Sequence, residues 1–233
     1  MPVVLQDACD ENIIRSGAAA APGSVTRGRW ILAATLLASS MAFIDGTVVN
    51  VALPALQTNL NATAADVQWV IESYALFLSA LLLVGGSLGD HYGRRRMFLL
   101  GVAIFSVASA ACGLVGNIDQ LIVARALQGV GAALLVPGSL AIISNSFSAQ
   151  ERGRAIGIWS GFSAITSGIG PVLGGWLIEH VSWRAVFFIN LPFALVVLLI
   201  SFRHVVADAE RKSTRVDWLG AALAAVGLGA LVY

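Results

Sequence analysis

The sequence predicts an all-α, polytopic membrane protein: a bundle of six helices followed by the start of a seventh. Three observations predict it. Hydrophobic residues make up 58% of the 233 residues and charged residues only 12%, against about 45–50% and about 25% in an ordinary soluble domain, and the mean hydropathy is +0.83. Apolar runs long enough to cross a bilayer recur at approximately 30–53, 64–88, 97–116, 120–143, 155–178 and 185–202, with a last one at 217–233, and the connections between them are short. The charges are also sorted by position. Of the 14 Lys and Arg, 12 fall on one side of the alternating spans: Arg15, Arg27 and Arg29, then Arg94, Arg95 and Arg96, then Arg152 and Arg154, then Arg203, Arg211, Lys212 and Arg215. The opposite loops hold only Arg184, and Arg125 lies within the fourth span. Positive charge is retained on the cytoplasmic side, so the N-terminus is expected to be cytoplasmic.

Residues 1–28 carry Asp7, Asp10 and Glu11 where a signal peptide would have its basic region, so they read as an uncleaved cytoplasmic tail. The transporter-like bundle is expected over 29–203, a cytoplasmic loop over 204–216 and an incomplete seventh span over 217–233. That last run reaches about 17 residues at Tyr233, near the minimum for a crossing, so the chain is expected to be part of a longer one.

Span one, "WILAATLLASSMAFIDGTVVNVAL", contains a single charge, Asp45. A carboxylate at mid-bilayer costs roughly 2.5–3.5 kcal/mol on insertion scales, so something must offset it. Counted back from Pro54 at about 1.5 Å per residue, Asp45 lies ~13 Å below the outer end. Thr63 with Asp66 three residues on predicts a capping box at the outer start of span two, with Gln68 and Trp69 at headgroup level. Glu72 follows at a depth comparable with Asp45. The loop after span two, "GGSLGDHYGRRRMFLLG", offers Gly86 and Gly89 for close helix approach, Gly93 for a tight turn, and Asp90 as a cap or as a partner for an arginine.

In span four Arg125 lies ~8 Å below the outer surface by the same rise. Gln128 shares its helical face, three residues on. In span five Gly157, Gly161, Gly168 and Gly175 recur at steps of four and seven, which predicts a packing seam of small residues. Short connections further predict that consecutive helices are neighbours.

Several chemistries find no support. There is no G-x-x-x-x-G-K-S/T phosphate loop, "GVGAAL" at Gly129 sits inside an apolar helix as a packing feature, and no H-E-x-x-H occurs. His91, His180 and His204 lie at membrane edges, away from any buried nucleophile, which argues against an intramembrane hydrolase. Cys9 and Cys112 fall in the tail and in mid-span, suiting neither a disulfide nor a metal.

The 85–101 loop resembles the signature of the major facilitator superfamily, G-x-L-A/G-D-R-x-G-R-R/K, through Gly86, Leu88, Gly89, Asp90, Gly93, Arg94 and Arg95, with His91 in place of the usual arginine. "LIVARALQGVGAALLVPGS" (Leu121 to Ser139) is similar to the superfamily's fourth-helix motif. "SGIGPVLGGWL" is similar to its fifth-helix antiporter motif, through Gly168, Gly170, Pro171, Gly174 and Gly175, although Thr166 stands where a glycine is expected. "IDGTVVNVALP" and "SWRAVFFINLPFA" resemble the fourteen-span drug:proton antiporter branch (EmrB/QacA type).

The resemblance implies the N-terminal half of a major facilitator fold in a bacterial inner membrane. It also implies a secondary transporter, not an enzyme, that exports lipophilic or cationic small molecules against proton influx. Such a transporter needs no cofactor beyond the proton gradient, and its partners are the bilayer, the substrate, protons and a missing C-terminal half, with no nucleic acid. Arg125 can pair with one carboxylate and leave the other to bind a proton or a cation, so Asp45, Glu72, Arg125 and Gln128 are the coupling candidates. Gly86, Asp90, Gly93, Arg94 and Arg95 are the conformational-switch candidates. A static ion pair, a truncated non-transporting protein, and an exporter of an endogenous metabolite or antibiotic remain open alternatives.

Overall fold

The computed structural model describes residues 22–205 and the isolated positions 227 and 230. The tail before residue 22 lies outside the described residues, as do the loop beyond 205 and the seventh span apart from those two positions. The elements are α1 (Pro22–Leu60), α2 (Ala64–Tyr92), α3 (Arg94–Leu114), α4 (Ile118–Ser146), α5 (Ala149–His180), α6 (Ala185–Phe188) and α7 (Asn190–His204). Six stretches among the described residues are long and apolar enough to span a membrane, with α6 and α7 counted as one from Ala185 to His204.

The helix starts follow from capping chemistry. Thr63 Oγ1 accepts from Asp66 N at 3.2 Å while Asp66 Oδ2 accepts from Thr63 N at 2.8 Å, the expected reciprocal box. Asn117 caps α4 through Gln120 N at 2.9 Å, and Ser148 caps α5 through Glu151 N at 3.4 Å. Gly93 alone joins α2 to α3, with φ at 97°, a region that disfavours any side chain bearing a Cβ. The break between α6 and α7 also has a local cause, because Pro192 offers no N–H to the carbonyl of Phe188 four residues back.

Pro54 does not end span one. It lies inside α1, which continues to Leu60, so Asp45 is farther from the helix end than the count from Pro54 implies. The proline removes one hydrogen bond only, and Asn50, whose carbonyl loses that partner, is exposed.

Packing departs from chain order. Helix α4 sits between α2 and α3, and α1 lies mainly against α5, with α7 and α4 next, while α1 and α2 touch much less. Short loops constrain only helix ends, and the neighbours are chosen by where backbones can approach. A Cβ on Gly129 would lie 2.6 Å from the Tyr74 carbonyl oxygen, and one on Gly131 would lie 2.5 Å from Phe105 N. On α2 the intimate crossing is at Gly85, where a Cβ would collide with the Ala133 carbonyl, and not at Gly86 or Gly89, as the sequence suggested.

The glycines expected to form the seam of α5 are also corrected. Among the described residues nothing lies within 4 Å of where a Cβ on Gly157, Gly161 or Gly168 would sit, whereas Gly170 and Gly174 press against Thr47 and Val48 of α1. Two small-residue faces coexist on α5. The packed one is Ala155, Ser163, Thr166, Gly170 and Gly174, so Thr166 completes that face where a glycine was expected. Because alanine is the better helix former by up to about 1 kcal/mol, Gly161→Ala should leave the thermal midpoint of the purified chain unchanged or raised. Gly131→Ala should lower the stability by about 1–3 kcal/mol through overpacking. Equal midpoints for the two variants would show that α3 and α4 do not cross at Gly131.

Two apolar clusters fill the interior. One gathers Met41, Phe98, Phe105 and Leu135, and the other Val48, Leu56, Leu121 and Phe187. At one end of the bundle Arg27 Nε donates to the His204 carbonyl at 3.0 Å, and Arg95 Nη2 to the Phe202 carbonyl at 3.0 Å. At the other end Arg184 Nη1 donates to the carbonyls of Gly113 and Val115, at 2.7 and 2.9 Å.

Candidate functional site

Asp45 lies on α1 between the residues that serve the two apolar clusters, and it is completely buried. Its Oδ2 accepts from Arg125 Nη1 at 2.5 Å, and its Oδ1 accepts from Gln128 Nε2 at 2.8 Å. The three-residue spacing on α4 therefore delivers a cation and an amide to the two oxygens of one carboxylate. Arg125 is the largest fully buried side chain among the described residues. Its Nε donates to the Val70 carbonyl of α2 at 3.2 Å, its Nη1 also to Gln128 Oε1 at 2.7 Å, and its guanidinium lies 4.2 Å from the centre of the Tyr74 ring. Gly129, beside Gln128, brings α4 against the backbone of α2 and so seats Arg125 beneath that ring.

A second arm reaches the carboxylate from the other side. Asn190, the first residue of α7, donates from Nδ2 to Asp45 Oδ1 at 3.2 Å and to Ser109 Oγ of α3 at 2.9 Å. Ser109 Oγ in turn donates to the Phe187 carbonyl at 2.8 Å, and Cys112 Sγ, one turn along α3, donates to Gln128 Oε1 at 3.6 Å. Tyr74 completes the set, its hydroxyl donating to the Ala42 carbonyl at 3.2 Å. The buried side-chain nitrogens and oxygens left without a partner among the described residues are Ser73 Oγ, Arg95 Nε and Ser201 Oγ, none of them in this network. A buried charge is tolerated where its pairing and hydrogen bonding are this complete.

Sequence reasoning identified Asp45, Arg125 and Gln128 but missed Asn190, Ser109, Tyr74 and Cys112. One signal was available for Asn190: it is the one amide in an apolar run that also carries a helix-breaking proline. Ser109 and Tyr74 carried none, since an uncharged hydroxyl does not stand out in an apolar span the way a charge does.

Glu72 does not join the cluster. It is half-buried and accepts from Gln68 Nε2 at 2.7 Å, one turn back on its own helix. In the loop, Asp90 pairs with Arg94 at 2.8 Å, so it serves as an ion-pair partner and not as a cap. Arg94 also reaches the Ala141 carbonyl of α4 at 3.4 Å, and Arg95 reaches α7. The loop thus ties α2, α3, α4 and α7 together at one end, with Gly86 facing Pro137 and Gly93 supplying the turn. On α5, Gly170 and Gly174 are buried against α1, Gly175 is half-buried, and Gly168 and Pro171 are exposed.

Comparison with known proteins adds the family. Residues 35–232 match the model of the Major Facilitator Superfamily. The chain is 42% identical over 221 residues to the tetracenomycin C resistance and export protein of Streptomyces glaucescens, covering 94% of this chain and 41% of that protein. It is 41% identical over 203 residues to the multidrug resistance protein Stp of Mycobacterium tuberculosis, covering 87% of this chain and 38% of that one. The chain therefore spans about two fifths of the length of the curated relatives it matches. The crystal structure of a mutant of the peptide transporter POT in complex with sulfate superposes with a TM-score of 0.69 at 15% identity, over 88% of this chain and 44% of that one. At that identity the likeness speaks for the fold alone.

Proposed function

The chain belongs to the Major Facilitator Superfamily, and from that premise we propose that it forms the first half of a proton-coupled exporter of lipophilic or cationic small molecules. The observation that carries this reading is the fully buried Asp45–Arg125 pair, which links α1 to α4. A carboxylate held by a cation from another helix changes its hold on a proton whenever the two helices shift, and alternating access requires such shifts. Relatives named for multidrug resistance and for tetracenomycin C resistance and export support the reading of an exported small molecule. The transporter draws on the proton gradient and needs no cofactor, and it resides in the bacterial inner membrane. Residues 85–101 help switch it between its two open states.

The test uses vesicles bearing a full-length transporter, made by joining this chain to the second half of the Streptomyces glaucescens relative. Efflux of a fluorescent lipophilic cation should follow an imposed proton gradient and stop when a protonophore collapses it. Efflux that is indifferent to the gradient would remove the coupling assignment. Orientation is tested separately. With the N-terminus cytoplasmic, Arg95→Cys should react with an impermeant thiol reagent only from inside, and Ala62→Cys only from outside. The reverse pattern would invert the topology.

A further inference from the structure

Asp45 is held asymmetrically, and the asymmetry bears on where a proton sits. Oδ1 accepts from two neutral amides, Gln128 Nε2 at 2.8 Å and Asn190 Nδ2 at 3.2 Å, which use both of its lone-pair directions. Oδ2 accepts from Arg125 Nη1. The amide of Asn190 is itself fixed, because its Nδ2 hydrogens are shared between Asp45 and Ser109, and Ser109 is anchored on the Phe187 carbonyl. All of these side chains are buried.

Resting on the reading of Asp45 as the proton-carrying residue, we propose that Asn190, steadied by Ser109, is a positioning residue that occupies Oδ1, so that the transported proton is carried on Oδ2. Protonation forms an O–H bond at Oδ2 with a proton taken from hydronium on the entry side. Release returns that proton to water on the exit side, and no electron moves. Arg125 keeps its charge and relinquishes Oδ2 when the proton arrives. The amide bonds to Oδ1 persist in both states, since a protonated carboxyl still accepts at its carbonyl oxygen. Among the described residues the titratable or charged groups facing Asp45 are Arg125 from α4, Tyr74 from α2 and Cys112 from α3, and the buried faces of α5, α6 and α7 present none.

The proposal is tested by infrared spectroscopy of the 233-residue chain in liposomes across a pH series, with helical content as the fold control. The carbonyl stretch of protonated Asp45 is the band that disappears in Asp45→Asn. With the proton on Oδ2, the carbonyl is the Oδ1 bond, and losing a donor there stiffens it. Asn190→Leu should therefore move the band to higher wavenumber. Ser109→Ala, a milder change, should move it the same way by less, and it carries the test if Asn190→Leu loses native helical content. An Asp45 band that stays in place in the natively folded variants overturns the role of Asn190 and leaves Asp45 as the proton carrier. The absence of any Asp45-dependent band at every pH where the fold is native overturns both.

Discussion

Asp45→Asn in the full-length transporter is expected to reduce gradient-driven efflux to background, while Glu72→Gln retains most of it. The two acids differ in what surrounds them. Asp45 is completely buried and is held by Arg125, Gln128 and Asn190 from two other helices. A shift of α4 or α7 against α1 alters at least one of those bonds, and alternating access requires such shifts. Glu72 is half-buried and bonded to Gln68 on its own helix, so relative helix motion leaves its hydrogen bond unchanged. Asparagine keeps the size of the side chain, so the loss would report a missing proton site and not a packing defect. Drug-driven proton release from vesicles, with both variants matched for membrane level, measures it. Normal release from Asp45→Asn with loss in Glu72→Gln would transfer the coupling role to Glu72.

Arg125→Met is expected to destabilise the chain by about 3–5 kcal/mol, because it leaves Asp45 buried without its cation. Methionine fills much of the volume, so the loss is electrostatic and not a cavity. The Val70 carbonyl and the Tyr74 ring also lose their contact with Arg125, which ties α2 to α4. Combining Arg125→Met with Asp45→Asn should restore much of the stability, since a neutral amide at position 45 can still bond to Gln128 and Asn190. Thermal unfolding of the four proteins in one detergent gives the coupling between the two sites. Additive losses would mean that the pair contributes little and that Arg125 acts through Val70 and Tyr74 instead.

The membrane class, the six spans and the charge bias were legible from composition and periodicity, because a bilayer demands a long uncharged helix at every crossing. Capping residues such as Thr63 and Asp66 act within one turn and were equally plain. Asp45 and Arg125 stood out because a charge is conspicuous in an apolar run, and Gln128 because helical spacing put it beside Arg125. Pro54 shows the limit of such local reading: whether a proline ends a helix depends on whether the carbonyl it frees can be satisfied.

Only the tertiary structure decided which residues meet. Helix α4 lies between α2 and α3 because the backbones close on Gly85, Gly129 and Gly131, and no loop length encodes that choice. On α5 the same spacing of small residues marks two faces, and the neighbouring helix α1 selects the one bearing Thr166, Gly170 and Gly174. The contact of Asn190 with Asp45 spans 145 residues of sequence and depends on the break ahead of Pro192 and on Ser109 from α3. The sequence alone determined that a buried carboxylate needed partners, because desolvation acts on a residue wherever it is placed. Which partners it has was decided in three dimensions, because its hydrogen bonds require donors from α4 and α7 to arrive within about 3 Å of a carboxylate on α1.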